Sequence, residues 1–327
     1  MVRQVLWAAL AFILISACGT DPSHVGTVHS PDAAEQTAPA DTVRRVKHLM
    51  GETQVPAYPK RVVVLNNAHL GNAIALGTIP TGAAIGLDQT YLKPYRAYLD
   101  DQNRTAPILV GNSVNPNLEK ILFLKPDLTI GFDYHKSIYE QLSQISPTVL
   151  YDSSDINRAW KDLVRMSGEA LGQAEEAEKL LSDYYQRTQE LNKQIETQNL
   201  ELSVSAVRVD QDLGLINLVL KDSFPGTIFQ DVGLSRPSAQ NKDGDLENIS
   251  VELISHIDGD ALFLITFKDE ENLELVNQLK QNPLWSQLQA VKQNRVYQVD
   301  ADRWFGYNII SANFVLDDLF KYLIEEE

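Results

Sequence analysis

The chain has 327 residues, with 28 Lys and Arg against 44 Asp and Glu, a net charge of −16, and one cysteine, Cys18. A surface this acidic repels nucleic acid and anionic lipid, which excludes both as partners. With a single thiol, no disulfide can form within the chain.

The N-terminus opens with Arg3 and the apolar run VLWAALAFILIS, too short for the roughly 20 residues that span a bilayer and shaped as a secretory signal over residues 1–17. Cys18 ends that run, and a free thiol outside the cell is a liability unless it is used. The tetrad ISAC, Ile15 to Cys18, resembles the bacterial lipobox, which implies that Cys18 is the lipidated first residue of the mature chain. Cleavage before it removes Arg3 alone among charged side chains, leaving the protein one unit more acidic. From Gly19 to about Val55, Thr, Ala, Pro, Ser, Asp and Gly dominate without an apolar period, so residues 18–55 are expected to be a flexible linker. The rest is large for one core, and two lobes are expected.

Beyond the linker, short β-type runs alternate with helical ones: RVVVL (61–65), TGAAIG, DLTIG, TVLY, VSAVRV, LINLVL, ALFLIT and RVYQV. That alternation predicts an α/β fold with mainly parallel sheets. Residues 156–199 read as helix except at Gly168 and Gly172, and Ala177, Leu180, Leu181, Tyr184, Thr188, Leu191 and Ile195 fall on one face of the second part. The expected division is an N-terminal lobe at 56–172, a long rigid helix at 173–199 and a C-terminal lobe at 200–327, with a ligand cleft between the lobes.

NLEKILFLKPDLTIG (117–131) and SVELISHIDGDALFL (250–264) align without gaps. Asn117 and Ser250 suit helix starts, and Asp127 and Asp260 precede strands. Glu119 and Glu252 occupy one position in both, a first turn where the helix dipole favours a carboxylate. They are either simple helix stabilisers or a matched pair of contacts.

PAYPKRVVVL, PNLEKILFLKPDLTIG, ISPTVLYD, VRVDQDLGLINLVLKDSFPGTIFQDVGLSRP and NPLWSQLQAVKQNRVYQVDADRW, in this order, resemble the iron-siderophore and vitamin B12 class of periplasmic substrate-binding proteins. The resemblance spans residues 56–327. It implies no enzymatic activity and a monomer at the outer face of the cytoplasmic membrane, in the periplasm or on the cell surface, held by the Cys18 lipid. Its partner is an ABC permease dimer with its ATPase subunits. Glu119 and Glu252 match the positions that dock into arginine pockets of the permease.

The resemblance implies a ferric siderophore as ligand, with hydroxamate or citrate-hydroxamate chelates favoured, and no cofactor or directly bound metal. Such a chelate needs cations and flat aromatic surface from the protein. Arg208, at the end of VSAVR, matches an arginine position of the siderophore-binding subfamily, or pairs with Asp210 or Asp212. Trp304 matches a position where an aromatic residue faces the cleft, or is a core residue. Tyr134 follows DLTIG and projects from the N-lobe, or is an exposed turn residue; Arg236 and Phe224 lie in the C-lobe opening. Asn67 and His69 follow the first strand, where NNAHLGN departs from the aromatic or acidic residues of many relatives. Two alternatives stay open. One is direct zinc or manganese binding through His48, His69, His135 or His256, although three or four convergent ligands would be needed. The other is a cobalamin or haem ligand. An enzyme has less support, since G-x-S-x-G and a phosphate-binding glycine loop are both missing.

Overall fold

The structure, a computed structural model, describes residues 42–85, 89–100, 105–198, 200, 202–210 and 215–325. The signal, Cys18 and the linker as far as residue 41 lie outside the described residues. The linker expectation fails at its end, where β1 (Val43–His48) and β2 (Gly51–Pro56) pair as an antiparallel hairpin. Only Val46 and Val55 of the hairpin are buried, so its composition stays polar and conceals it.

The N-lobe follows with β3 (Val62–Val64), α1 (Asn67–Ala75), β4 (Gly82–Ala83), α2 (Arg96–Asp100), β5 (Ile108–Leu109), α3 (Leu118–Leu124), β6 (Leu128–Phe132), α4 (Tyr139–Ile145) and β7 (Thr148–Tyr151). Its sheet is parallel throughout, in the order β5-β4-β3-β6-β7. Strands β3, β6 and β7 are buried along their whole length, as covering by helices on both faces requires. The hairpin lies against β7: Leu49 N donates to the Leu150 carbonyl at 2.8 Å and Thr53 Oγ1 to the Thr148 carbonyl at 3.3 Å.

Two helices, α5 (Ile156–Leu171) and α6 (Ala174–Thr197), separate the sheets in sequence. Gly168 does not interrupt α5 as expected. A Cβ there would stand 2.5 Å from the Ala177 Cβ, so its bareness lets α5 pack on α6. The helix ends instead at Gly172 in the left-handed region. The Arg44 guanidinium donates to the carbonyls of Glu169 and Ala170 at that end, and to Pro56 and Ala57, satisfying helix carbonyls that have no partner within the helix.

The C-lobe contains β8 (Val204–Asp210), β9 (Leu215–Val219), α7 (Phe224–Val232), β10 (Leu246–Ile249), β11 (Ala261–Thr266), α8 (Glu270–Lys280), α9 (Gln289–Lys292), β12 (Val296–Asp300), α10 (Ala301–Trp304) and α11 (Ile309–Phe320). Its order is β10-β9-β8-β11-β12. Strands β8, β11 and β12 run parallel, whereas β9 is antiparallel to both neighbours. The connection from Asp210 to Leu215 is too short for a crossover, so the chain can only turn back.

One apolar core runs through both lobes, taking Val62 and Leu128 from the first sheet and Phe263 and Val299 from the second. Polar contacts close the junction. Ile309 N donates to Asn72 Oδ1 at 3.1 Å, and Asn308 Nδ2 donates to Tyr95 Oη at 3.1 Å and to the Asn67 carbonyl at 3.4 Å. A Cβ on Gly71 would land on the Asn308 carboxamide, so glycine permits this approach of α1 to the start of α11.

Candidate ligand cleft

Open α/β sheets place their sites beyond the carboxyl ends of the strands, where the strand order reverses. In the N-lobe that point lies between β3 and β6, and in the C-lobe between β8 and β11. Asn67 follows β3 and is exposed. Tyr134 follows β6, is 44% exposed, and its hydroxyl is pushed up to about 12 by burial despite a hydrogen bond to Ser113.

On the C-lobe side, the Arg208 guanidinium lies 5.5 Å from the Phe305 ring centroid. Phe305 is 6.4 Å from Tyr307, and Tyr307 is 5.5 Å from Phe224. Tyr307 holds φ at +53°, an uncommon conformation for an aromatic residue, and burial raises its hydroxyl to about 12. A cavity of about 580 Å³ joins Lys93 and Pro94 of the N-lobe to Phe267, Lys268, Arg303 and the acidic Asp269, Asp300 and Asp302 of the C-lobe. Lys268 Nζ stands 3.1 Å from Asp300.

Three expected ligand contacts are corrected. Trp304 is fully buried, donates Nε1–H to Asp318 at 2.7 Å and packs 5.3 Å from Phe263 and 6.0 Å from Phe229. It belongs to the core. His69 is also buried, between Phe132 and Tyr151, with Nδ1 at 3.1 Å from Ser167 Oγ. Burial, reinforced by His135, lowers its pKa to about 3, so it is a neutral packing histidine. Arg236 is half-buried over Phe229 and donates to the Val204 and Val219 carbonyls and to Gln240, while desolvation lowers its pKa to about 10. Its donors tie β8 to β9. Phe224 is a core residue as well.

Sequence reasoning missed Phe305, Tyr307, Lys93 and Lys268. For the first two a signal existed, because they follow Trp304 in the loop already singled out.

Glu119 is exposed in the first turn of α3, whose N-cap Asn117 accepts from Lys120 N at 2.9 Å. Glu252 is exposed in a 3₁₀ segment, Val251–Ile257, kinked at Leu253, where Ser250 accepts from Glu252 N. Each helix leads back into the strand beside its switch point, which puts both carboxylates toward the carboxyl ends of the sheets. Among the described residues no three His, Cys, Asp or Glu side chains gather as a metal site. His135 is occupied by the Ser113 carbonyl at 2.7 Å and by Phe132.

Residues 62–303 match the family described as periplasmic binding protein. The probable siderophore-binding lipoprotein YfiY of Bacillus subtilis is 33% identical, over 97% of this chain and 96% of its own length. The Fe(3+)-citrate-binding protein YfmC of the same organism is 29% identical over 93% and 90%. Among solved structures, Staphylococcus aureus SirA complexed with staphyloferrin B aligns with a TM-score of 0.71 at 29% identity, covering 86% of this chain and 98% of SirA. The match over most of the folded chain, together with two α/β lobes around a cleft, makes this chain a member of the periplasmic binding protein family, a binding protein rather than an enzyme.

Proposed function

We propose that the protein captures a ferric siderophore in the cleft between its lobes, outside the cytoplasmic membrane, and delivers it to an ABC permease for iron uptake. The observation that carries this reading is the Arg208 guanidinium over Phe305, a cation backed by an aromatic face with Tyr307 close by. That pairing suits a chelate with anionic oxygens on a flat organic frame. The siderophore already coordinates its iron, so the cleft needs cations and rings rather than metal ligands. The similarity to YfiY, YfmC and SirA supports the ligand class, with a hydroxamate or citrate-hydroxamate chelate favoured. Tyr134 and Asn67 are the N-lobe contacts.

Glu119 and Glu252 are the docking carboxylates, one on each lobe, and the Cys18 lipid holds the monomer at the membrane. The core shared by the lobes and the Asn308 contacts favour a small closure on binding rather than a wide swing.

Titration of the tryptophan fluorescence of residues 19–327 tests the reading, with ferric hydroxamates, ferric citrate, ferric catecholates, cobalamin, haem, zinc and manganese as probes. One ferric chelate is expected to quench saturably, with affinity falling about 10- to 100-fold in Arg208→Ala, as loss of a charge-assisted contact predicts. Quenching by free zinc or manganese alone would defeat it.

A further inference from the structure

Helix α3 buries only Ile121 and Leu124. Its outer face carries Glu119 together with Leu122, 58% exposed, and Phe123, 82% exposed, three and four residues on and therefore neighbours of the carboxylate on the helix surface. At the matching place in the C-lobe, Val251 and Leu253 flank Glu252 at 46% and 44% exposure. Single exposed apolar side chains are ordinary. Other large apolar side chains are exposed as well, among them Tyr58, Ile108 and Val114, but these two groups are set apart because each stands beside the equivalent glutamate of its lobe.

Resting on the docking role of the glutamates, we propose that each carboxylate is the centre of a mixed contact whose apolar rim, Leu122 and Phe123 on one lobe and Val251 and Leu253 on the other, seats against the permease. The fitting partner is a membrane subunit with a cationic pocket bordered by apolar side chains. A second copy of this chain fits poorly, since exposed glutamates on a net charge of −16 would oppose one another. An apolar rim excludes water around the ion pair and strengthens it. Phe123, the most exposed of the four, is the anchor, as aromatic residues commonly are in such contacts. Docking is then less sensitive to salt than a bare ion pair would be.

The test uses the full chain in its own cell, with p-benzoylphenylalanine replacing Leu253 and photocrosslinked products identified by mass spectrometry. The expected product is the chain joined to an ABC importer membrane subunit, with a yield that falls at least about tenfold on adding Phe123→Ser. Thermal melting and chelate binding should stay unchanged, because Phe123 packs outside the core and the cleft. A product joined only to a second copy of this chain overturns the proposal. If Glu119→Ala abolishes the permease product while Phe123→Ser leaves it intact, the rim falls and glutamate docking stands. If neither substitution changes the yield the rim falls too, and if no importer subunit is crosslinked at all the docking reading itself falls.

Discussion

In the N-lobe, Asp127 at the foot of β6 accepts the amides of Lys60 at 2.8 Å and Arg61 at 2.9 Å, just ahead of β3. In the C-lobe, Asp260 at the foot of β11 accepts the amide of Ser203 at 2.9 Å, just ahead of β8. A carboxylate thus locks the two strands that border the cleft in each lobe. The lobes part company at the next strand outward. β4 follows a helix and lies parallel to β3, whereas β9 follows a short connection and lies antiparallel to β8. The inner strand pair is held alike in both lobes, while the strand outside it reverses direction in the C-lobe.

The largest effect should come from severing both lobes from their partner at once. Glu119→Ala combined with Glu252→Ala is expected to abolish iron import while leaving chelate affinity intact, read by uptake in cells beside fluorescence titration. A matching loss of affinity would show that the carboxylates and the cleft do not divide the work.

Next in size is the C-lobe's aromatic cluster. Trp304→Ala removes a side chain packed between Phe229 and Phe263 and leaves Asp318 without its indole partner. Denaturant unfolding should report a loss of about 3–5 kcal/mol. A ligand contact at this position would instead cost affinity with little stability.

The N-lobe's counterpart is buried His69. Its folded pKa lies far below that of the unfolded chain, so below pH 6.5 the unfolded state takes up a proton that the native state refuses. Its contribution is intact above pH 6.5 and is lost as the pH falls toward 3. Between pH 6.5 and 5 this amounts to about 2 kcal/mol. His69→Gln should flatten that part of the stability profile relative to the parent chain.

The smallest effect separates the two strand locks themselves. Asp127 accepts two amides and Asp260 one, so Asp127→Ala should cost about 1 kcal/mol more than Asp260→Ala. Equal losses in paired denaturation curves would mean that the second amide bond contributes nothing.

Most of the architecture was legible because each strand beside the cleft is a short apolar run, and because the 117–131 and 250–264 segments repeat one pattern of helix, aspartate and strand. The hairpin was illegible for the opposite reason: with only Val46 and Val55 buried, VRRVKH and GETQVP carry too little apolar signal to register. The direction of β9 depended on the length of a connection rather than on periodicity. In the candidate site, sequence position singled out loops at the strand ends but not which of their side chains are buried in the core. Trp304 points inward, whereas Phe305, one residue later, lies beside Arg208. His69 and Arg236 likewise sit near strand ends, yet their partners are other parts of the fold.

The hairpin at Val43 also has a mechanical consequence. Val43 pairs with Pro56 at the open end of the ladder, so tension on the preceding chain would load β1 in the unzipping direction, in which backbone bonds yield one at a time. Arg44 is next in line, and its guanidinium grips the carbonyls of Pro56 and Ala57 at the end of the hairpin's second strand and two at the end of α5. A pull on the chain ahead of Val43 therefore meets the Arg44 contacts to the end of α5 before it reaches the bonds that join the hairpin to β7.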